Sequence, residues 1–171
     1  MEIICSIALI YIFIMSIISS FLKSMHFSFF YLNTYEILNK KINLSVIKVL
    51  SLCFLILEFV VPTLALLNLY LDFFSILGVV FIYILPTIVL VIAIILGNKD
   101  VECGCFGANF KVEITWTKVI ENLVYILILI YSLSMANLAI EIWYIGVALI
   151  LNVLYFLFLK INYKKKEGKF L

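Results

Sequence analysis

The sequence predicts an all-α integral membrane protein, a bundle of about five transmembrane helices. Three observations predict it. The 171 residues are 67% hydrophobic, with mean hydropathy +1.28 and only 13% charged residues. A soluble domain is nearer half apolar and carries about twice that share of charge. The apolar residues gather into five runs of membrane length, and the twelve basic residues, all Lys, fall in just three of the segments that bound those runs. So much apolar surface cannot be hidden from water in a chain this short, so the solvent is lipid. Length and composition give a single membrane domain over 1–171, with no soluble domain attached and no nucleic-acid partner.

The first run, Ile3–Leu22, is long enough to cross a bilayer as a helix. No basic stretch precedes it and no small-residue cleavage site follows, so it reads as a retained span rather than a signal peptide. The next runs are Val49–Leu69, Phe74–Leu96, Val119–Ala136 and Ile142–Leu159. Backbone groups in hydrocarbon must be satisfied within the segment, which makes each run helical. Pro62 and Pro86 fall inside spans. Each removes one helix hydrogen bond, freeing the carbonyls of Glu58 and Ile82, and is expected to kink its helix. The last two spans are separated only by the residues around Asn137–Glu141 and are expected to form an antiparallel hairpin.

Topology follows from the lysines. With five spans, the loop Lys23–Lys48, the loop Asn98–Lys118 and the tail from Lys160 (residues 160–171) share one face and hold all twelve. The opposite face carries Asp72 and Glu141 and no Lys. Positive charge stays cytoplasmic, so the expected arrangement is a multi-pass cell-membrane protein with its N-terminus outside and its C-terminus inside. The Lys164-Lys165-Lys166 tail then anchors topology and touches anionic lipid.

Cys103-Gly104-Cys105-Phe106-Gly107 is the most distinctive chemistry-bearing motif, within the polar loop 98–117. Thiols two residues apart reach disulfide distance only through a tight turn, which Gly104 permits. The small ring would be strained, and strain makes a disulfide more oxidising and more labile. Gly107 adds a second flexible point. Lys99 and Lys111 favour a thiolate while Asp100 and Glu102 oppose it. The readings of the pair are thiol–disulfide exchange, metal binding, or ordinary reduced cysteines in a connecting loop. A closed zinc site wants four ligands. Cys53 and the single histidine, His26, would complete a set whose spacing fits no standard pattern. His26 reads better as an interfacial residue beside Phe27, Phe29, Phe30 and Tyr31. No cofactor is called for, with quinone and metal left open.

Glu58 lies in the middle of the second span, where a carboxylate costs about 2.5–3.5 kcal/mol on insertion scales, and an acid at that depth is a candidate functional residue. Its readings are a proton relay, a site for a polar head group, or a hydrogen bond to Asn152, Asn122 or a tyrosine across the bundle. Lys23 closes the first span and is expected to snorkel to the interface. Glu121 and Asn122 open the fourth span close behind the cysteine loop and are positioned to hydrogen-bond it.

These residues together resemble the methylamine utilisation protein MauE family, within the broader group of DoxX-like membrane proteins. The resemblance rests on Lys23, Tyr35 and Glu58, and above all on Cys103-Gly104-Cys105-Phe106-Gly107 ahead of a span that opens with Ile114, Trp116 and Asn122. It covers roughly residues 5–135. Glu121 departs from the pattern, which leads one to expect a basic residue there. The resemblance implies a four-helix core plus one further helix. It also implies a thiol–disulfide redox or maturation factor, a possible oxidoreductase component, with Cys103 and Cys105 exchanging. Gly104, Phe106, Gly107, Glu58, Asn122 and Lys23 would support them. The implied partners are a thioredoxin-like protein and a cysteine-containing exported substrate, besides membrane lipid. Two other readings stay open: a non-enzymatic membrane assembly or immunity factor, and a small transporter using Glu58.

Overall fold

A computed structural model describes residues 2–38, 40, 42–67, 73–97, 106, 114–134 and 141–167, with side chains as far as 161. Its elements are α1 (Glu2–Met25), α2 (Phe27–Ile37), α3 (Leu44–Leu67), α4 (Phe73–Ile95), α5 (Trp116–Leu133) and α6 (Ile142–Glu167). Five of these, all but α2, are long and apolar enough to cross a membrane. The result is an all-α membrane bundle. Leu57, Leu127 and Phe158 are more than half exposed on its outer wall, as side chains solvated by lipid should be.

The helix boundaries follow local chemistry. Asn43 opens α3: its side-chain Oδ1 accepts the Ser45 N–H at 2.9 Å, the usual way to satisfy an orphan donor in a first turn. The carbonyl of Thr115 starts α5 by accepting the N–H of Lys118 at 3.1 Å. Beyond α4, Gly97 takes φ +76°, a left-handed conformation that glycine adopts without steric cost. α3 starts at Leu44 rather than Val49, because Leu44, Val46 and Ile47 extend its apolar turn structure past Lys48.

α1 is the hub. Of its most apolar window, 61% is buried, against 17% for α3. It packs against α3, α5 and α6, while α4 lies between α3 and α5. Leu9, Ile12 and Phe13 of α1 meet Ala65 of α3, Ile76 and Val79 of α4, and Leu129 of α5. Ile10 and Ile14, on another side of α1, meet Tyr144 and Ala148 of α6. With lipid outside there is little hydrophobic force between helices, so close packing and hydrogen bonds must hold them together. The expected hairpin of the last two spans is only partly realised. α5 and α6 are antiparallel, since Glu121 near the start of α5 meets Tyr155 far along α6. The backbone of α6, however, packs against α1.

α2 was not visible as an element in the sequence, where residues 23–48 read as a loop with an aromatic belt. It is an eleven-residue helix that lies against α3 and also touches α1 and α4. Ile37, its most buried residue, joins Leu90, Ala93, Ile114 and Val119 in a cluster with α4 and α5.

Gly78 allows α3 and α4 to approach closely. A Cβ built there would lie 2.9 Å from Val61 Cγ1, inside contact distance, and a β-branched valine has little freedom to move aside. Gly78→Val should therefore destabilise the bundle by about 1–3 kcal/mol, as overpacking does, read as a lower unfolding midpoint in detergent. An unchanged midpoint would show that the α3–α4 contact is not tight at this point.

Candidate functional site

The apolar span α1 carries a polar stripe. Ser16, Ser19, Ser20 and Lys23 follow at the i, i+3, i+4, i+7 spacing that puts side chains on one helix face, and all four are buried. The stripe faces Glu58 on α3. Lys23 Nζ donates to Glu58 Oε1 at 2.7 Å and to Oε2 at 2.8 Å. Ser19 Oγ donates to Oε1 at 3.2 Å. Both charged side chains are almost wholly buried, at 5% and 7% exposure.

Pro62 determines a further contact. It lies inside α3, so the Glu58 carbonyl has no backbone donor four residues on. Ser16 Oγ donates to that carbonyl at 3.3 Å. Ser20 Oγ donates to the Leu55 carbonyl at 3.1 Å one turn away. The carboxylate, its backbone oxygen and the neighbouring carbonyl of α3 are thus all held by α1.

Two expectations are corrected here. Lys23 does not snorkel outward; its ammonium turns inward, because Glu58 offers a fixed counter-charge. Glu58 does not pair with Asn152, Asn122 or a tyrosine. Asn152 instead donates to the carbonyls of Tyr11 and Ala148, linking α6 to α1. Glu58 is consequently not a lone buried acid but one half of a buried ion pair.

A second charged cluster sits on α5, again at i, i+3, i+4, i+7: Lys118, Glu121, Asn122 and Tyr125. Lys118 Nζ donates to Glu121 Oε2 at 2.9 Å. The hydroxyls of Tyr125 and Tyr155 donate to Glu121 Oε1 at 2.9 Å and 2.7 Å. Lys118 also donates to Tyr155 Oη at 3.2 Å. Glu121, expected to bond the cysteine loop, is thus held by three side chains of the bundle. It keeps the charge of Lys118 balanced and ties α6 to α5.

Both clusters open onto one small cavity of about 50 Å³, lined among others by Lys23, Glu58, Tyr83, Phe106, Lys118 and Asn122. That is room for more than one water molecule, with polar partners on several sides. Phe106 is 3% exposed. Its ring lies 4.9 Å from Lys118 Nζ, in cation–π range, and makes edge contacts with Tyr155 and Phe156. Phe106 itself is therefore packed into the bundle. Cys103, Gly104, Cys105 and Gly107 lie outside the described residues, as do Lys99 and Lys111. Cys5 is buried and Cys53 exposed, both free. Among the described residues no group of three metal-ligating side chains occurs, and Cys53 and His26 form no part of one.

Sequence reasoning found Lys23, Glu58, Phe106 and Asn122, but not their pairing. It counted Lys118 only towards topology and missed the three serines, Tyr125 and Tyr155. The two i, i+3, i+4, i+7 polar stripes were the signal that could have found most of them.

Fold and site together define a multi-pass helical membrane protein with one buried and one partly buried ion pair beside one small cavity. Residues 1–136 match the family described as methylamine utilisation protein MauE, and the chain belongs to that family. No curated protein and no solved structure matches it.

The Lys23–Glu58 pair generates a direct prediction. Removing one partner of a buried pair costs about 3–5 kcal/mol, because the other charge stays buried and uncompensated. Lys23→Met and Glu58→Leu should each lower stability on that scale, and the double variant should recover most of the loss. Thermal unfolding in detergent gives the cycle; additive single losses would show that the two side chains are energetically independent.

Proposed function

We propose that this protein is a membrane thiol–disulfide redox factor that assists disulfide formation or maturation of an exported partner protein. Cys103 and Cys105 are the exchanging pair. The observation that carries the reading is the burial of Phe106 over the charged cavity. Cys105 is joined by one peptide bond to Phe106, which lines the cavity. Membership of the methylamine utilisation family supports a role in maturing a partner, although the partner need not belong to that pathway.

The chemistry suits the chamber. Closing a disulfide releases two protons and two electrons. Lys118, beside Phe106, favours a thiolate, the attacking form. Glu58, which lines the cavity, is an acceptor already held in place by Lys23 and Ser19. Gly104 permits the tight turn the ring requires, and Gly107 leaves space for a partner chain. A thioredoxin-like protein fits as the exchange partner.

The lysine distribution supports an N-terminus outside and a C-terminus inside. That arrangement puts loop 98–117 on the cytoplasmic side, yet an exported substrate needs its oxidant outside. The burial of Phe106 favours one resolution, in which the pair exchanges electrons within the membrane. Reporter fusions after Lys166 and within residues 98–111 should both read cytoplasmic; opposite faces would overturn this arrangement.

Alkylation with a mass-shifting reagent should find Cys103 and Cys105 joined in part of the population and freed by mild reductant, with Cys5 and Cys53 unjoined throughout. Cys103→Ser or Cys105→Ser should abolish partner maturation while the protein stays in the membrane. Full function of the double Ser variant would sink the redox reading in favour of an assembly role.

A further inference from the structure

A second, larger cavity lies beside the first. It is a groove of about 300 Å³ between α2, α3 and α4. On α3 its wall runs from Ile47 to Phe54, two helical turns or about 10 Å along the axis. Ile42, Leu50 and Leu85 line it and are at least two-fifths exposed, so it opens sideways to lipid. Lys23 and Pro86 line both this groove and the smaller cavity.

The inner end of the groove is closed and offers little to a polar ligand. Lys23 is held by Glu58, and the Phe30 and Phe54 rings stand over its ammonium at 5.3 Å and 5.4 Å. Thr34, also in the lining, gives its hydroxyl to the Phe30 carbonyl at 3.0 Å. The end nearest the α2–α3 connection differs. There Leu38 and Ile42 line the groove and flank Lys40, which is exposed. Lys48 is exposed as well, and its Nζ lies 5.9 Å from the Tyr31 ring, at the seam of α2 and α3. Residues 37–57 carry Lys40, Lys41 and Lys48 and no acid. The acids that border this stretch are Glu36, exposed on α2, and Glu58, buried against Lys23.

We infer that this groove holds one acyl chain of an anionic phospholipid, whose phosphate is bound by Lys40 and Lys48. An acyl chain is slim and flexible and needs no polar contact along its length, which suits a groove whose inner polar groups are already engaged. It enters from lipid between Leu50 and Leu85 without crossing water. The head group stays at the membrane surface, where each nearby lysine favours an anionic lipid. A zwitterionic head brings its own cation to the same lysines and gains less. α2 buries only Ile37, so a chain lying beneath it adds contact that holds this helix on the bundle. The site stands whether or not Cys103 and Cys105 exchange.

The test is native mass spectrometry of the full chain released from detergent, titrated with phosphatidylglycerol or with phosphatidylcholine of the same chains. One phosphatidylglycerol should bind at least fivefold more tightly than phosphatidylcholine. Lys40→Gln combined with Lys48→Gln should weaken phosphatidylglycerol more than tenfold and leave phosphatidylcholine unchanged, since a lysine near a lipid surface is worth about fivefold. Both lysines are exposed, so the circular dichroism of this variant should match the unmodified protein. Phosphatidylglycerol carrying a diazirine at its chain end should label peptides within residues 30–38 or 51–54. Leu50→Trp, which narrows the open side, should remove that label. Equal affinity for the two lipids, or no effect of the double lysine variant, would refute the anionic site. Label spread over α5 and α6 as densely as over α2 and α3 would mark ordinary surrounding lipid and overturn the inference.

Discussion

A bare charge inside lipid costs several kcal/mol, and the rest of this structure depends on how that cost is met at Lys23 and Glu58. The two side chains neutralise each other over 2.7–2.8 Å. To do so, α1 and α3 must sit at a fixed rotation and depth, because a slip of either helix would leave both charges without a partner. Buried pairs add little net stability over an apolar core. Their value lies in specificity: few arrangements of five apolar helices satisfy this pair, and the observed bundle is one of them. Ser16, Ser19 and Ser20 narrow the choice further by binding oxygens that only this register presents.

The same constraint explains why α1 is central. A helix that carries three serines and a lysine on one face cannot turn that face to lipid, and it must be surrounded. α3 covers the stripe, α5 and α6 cover the other sides, and α4 closes the bundle between α3 and α5. The second cluster repeats the solution on α5, where Glu121 balances Lys118 and two tyrosine hydroxyls complete the carboxylate. Tyr155 brings α6 into that network, so polar bonds tie together helices that lipid would otherwise let part.

Together the two clusters create a small polar space within an apolar wall. Phe106 sits over it, and the apolar groove reaches it from the side through Lys23 and Pro86. Glu121 is balanced locally by Lys118 one helical turn earlier.

The sequence by itself determined that the chain lives in lipid, where its five spans run to within a few residues, and that Pro62 would free the Glu58 carbonyl. It also marked Glu58 and the Cys103–Gly107 motif as the places where ordinary membrane chemistry is broken. These are properties of single residues or local runs, and hydropathy reads them directly. Only the tertiary structure decided that Glu58 answers to Lys23, 35 residues away, that α6 packs on α1 rather than along α5, and that residues 27–37 form a helix roofing a groove. Those outcomes depend on the relative rotation and depth of whole helices, and a uniformly apolar span carries almost no local signal of which face turns inward. The buried polar stripes supply that signal, but only once the partner they face is known.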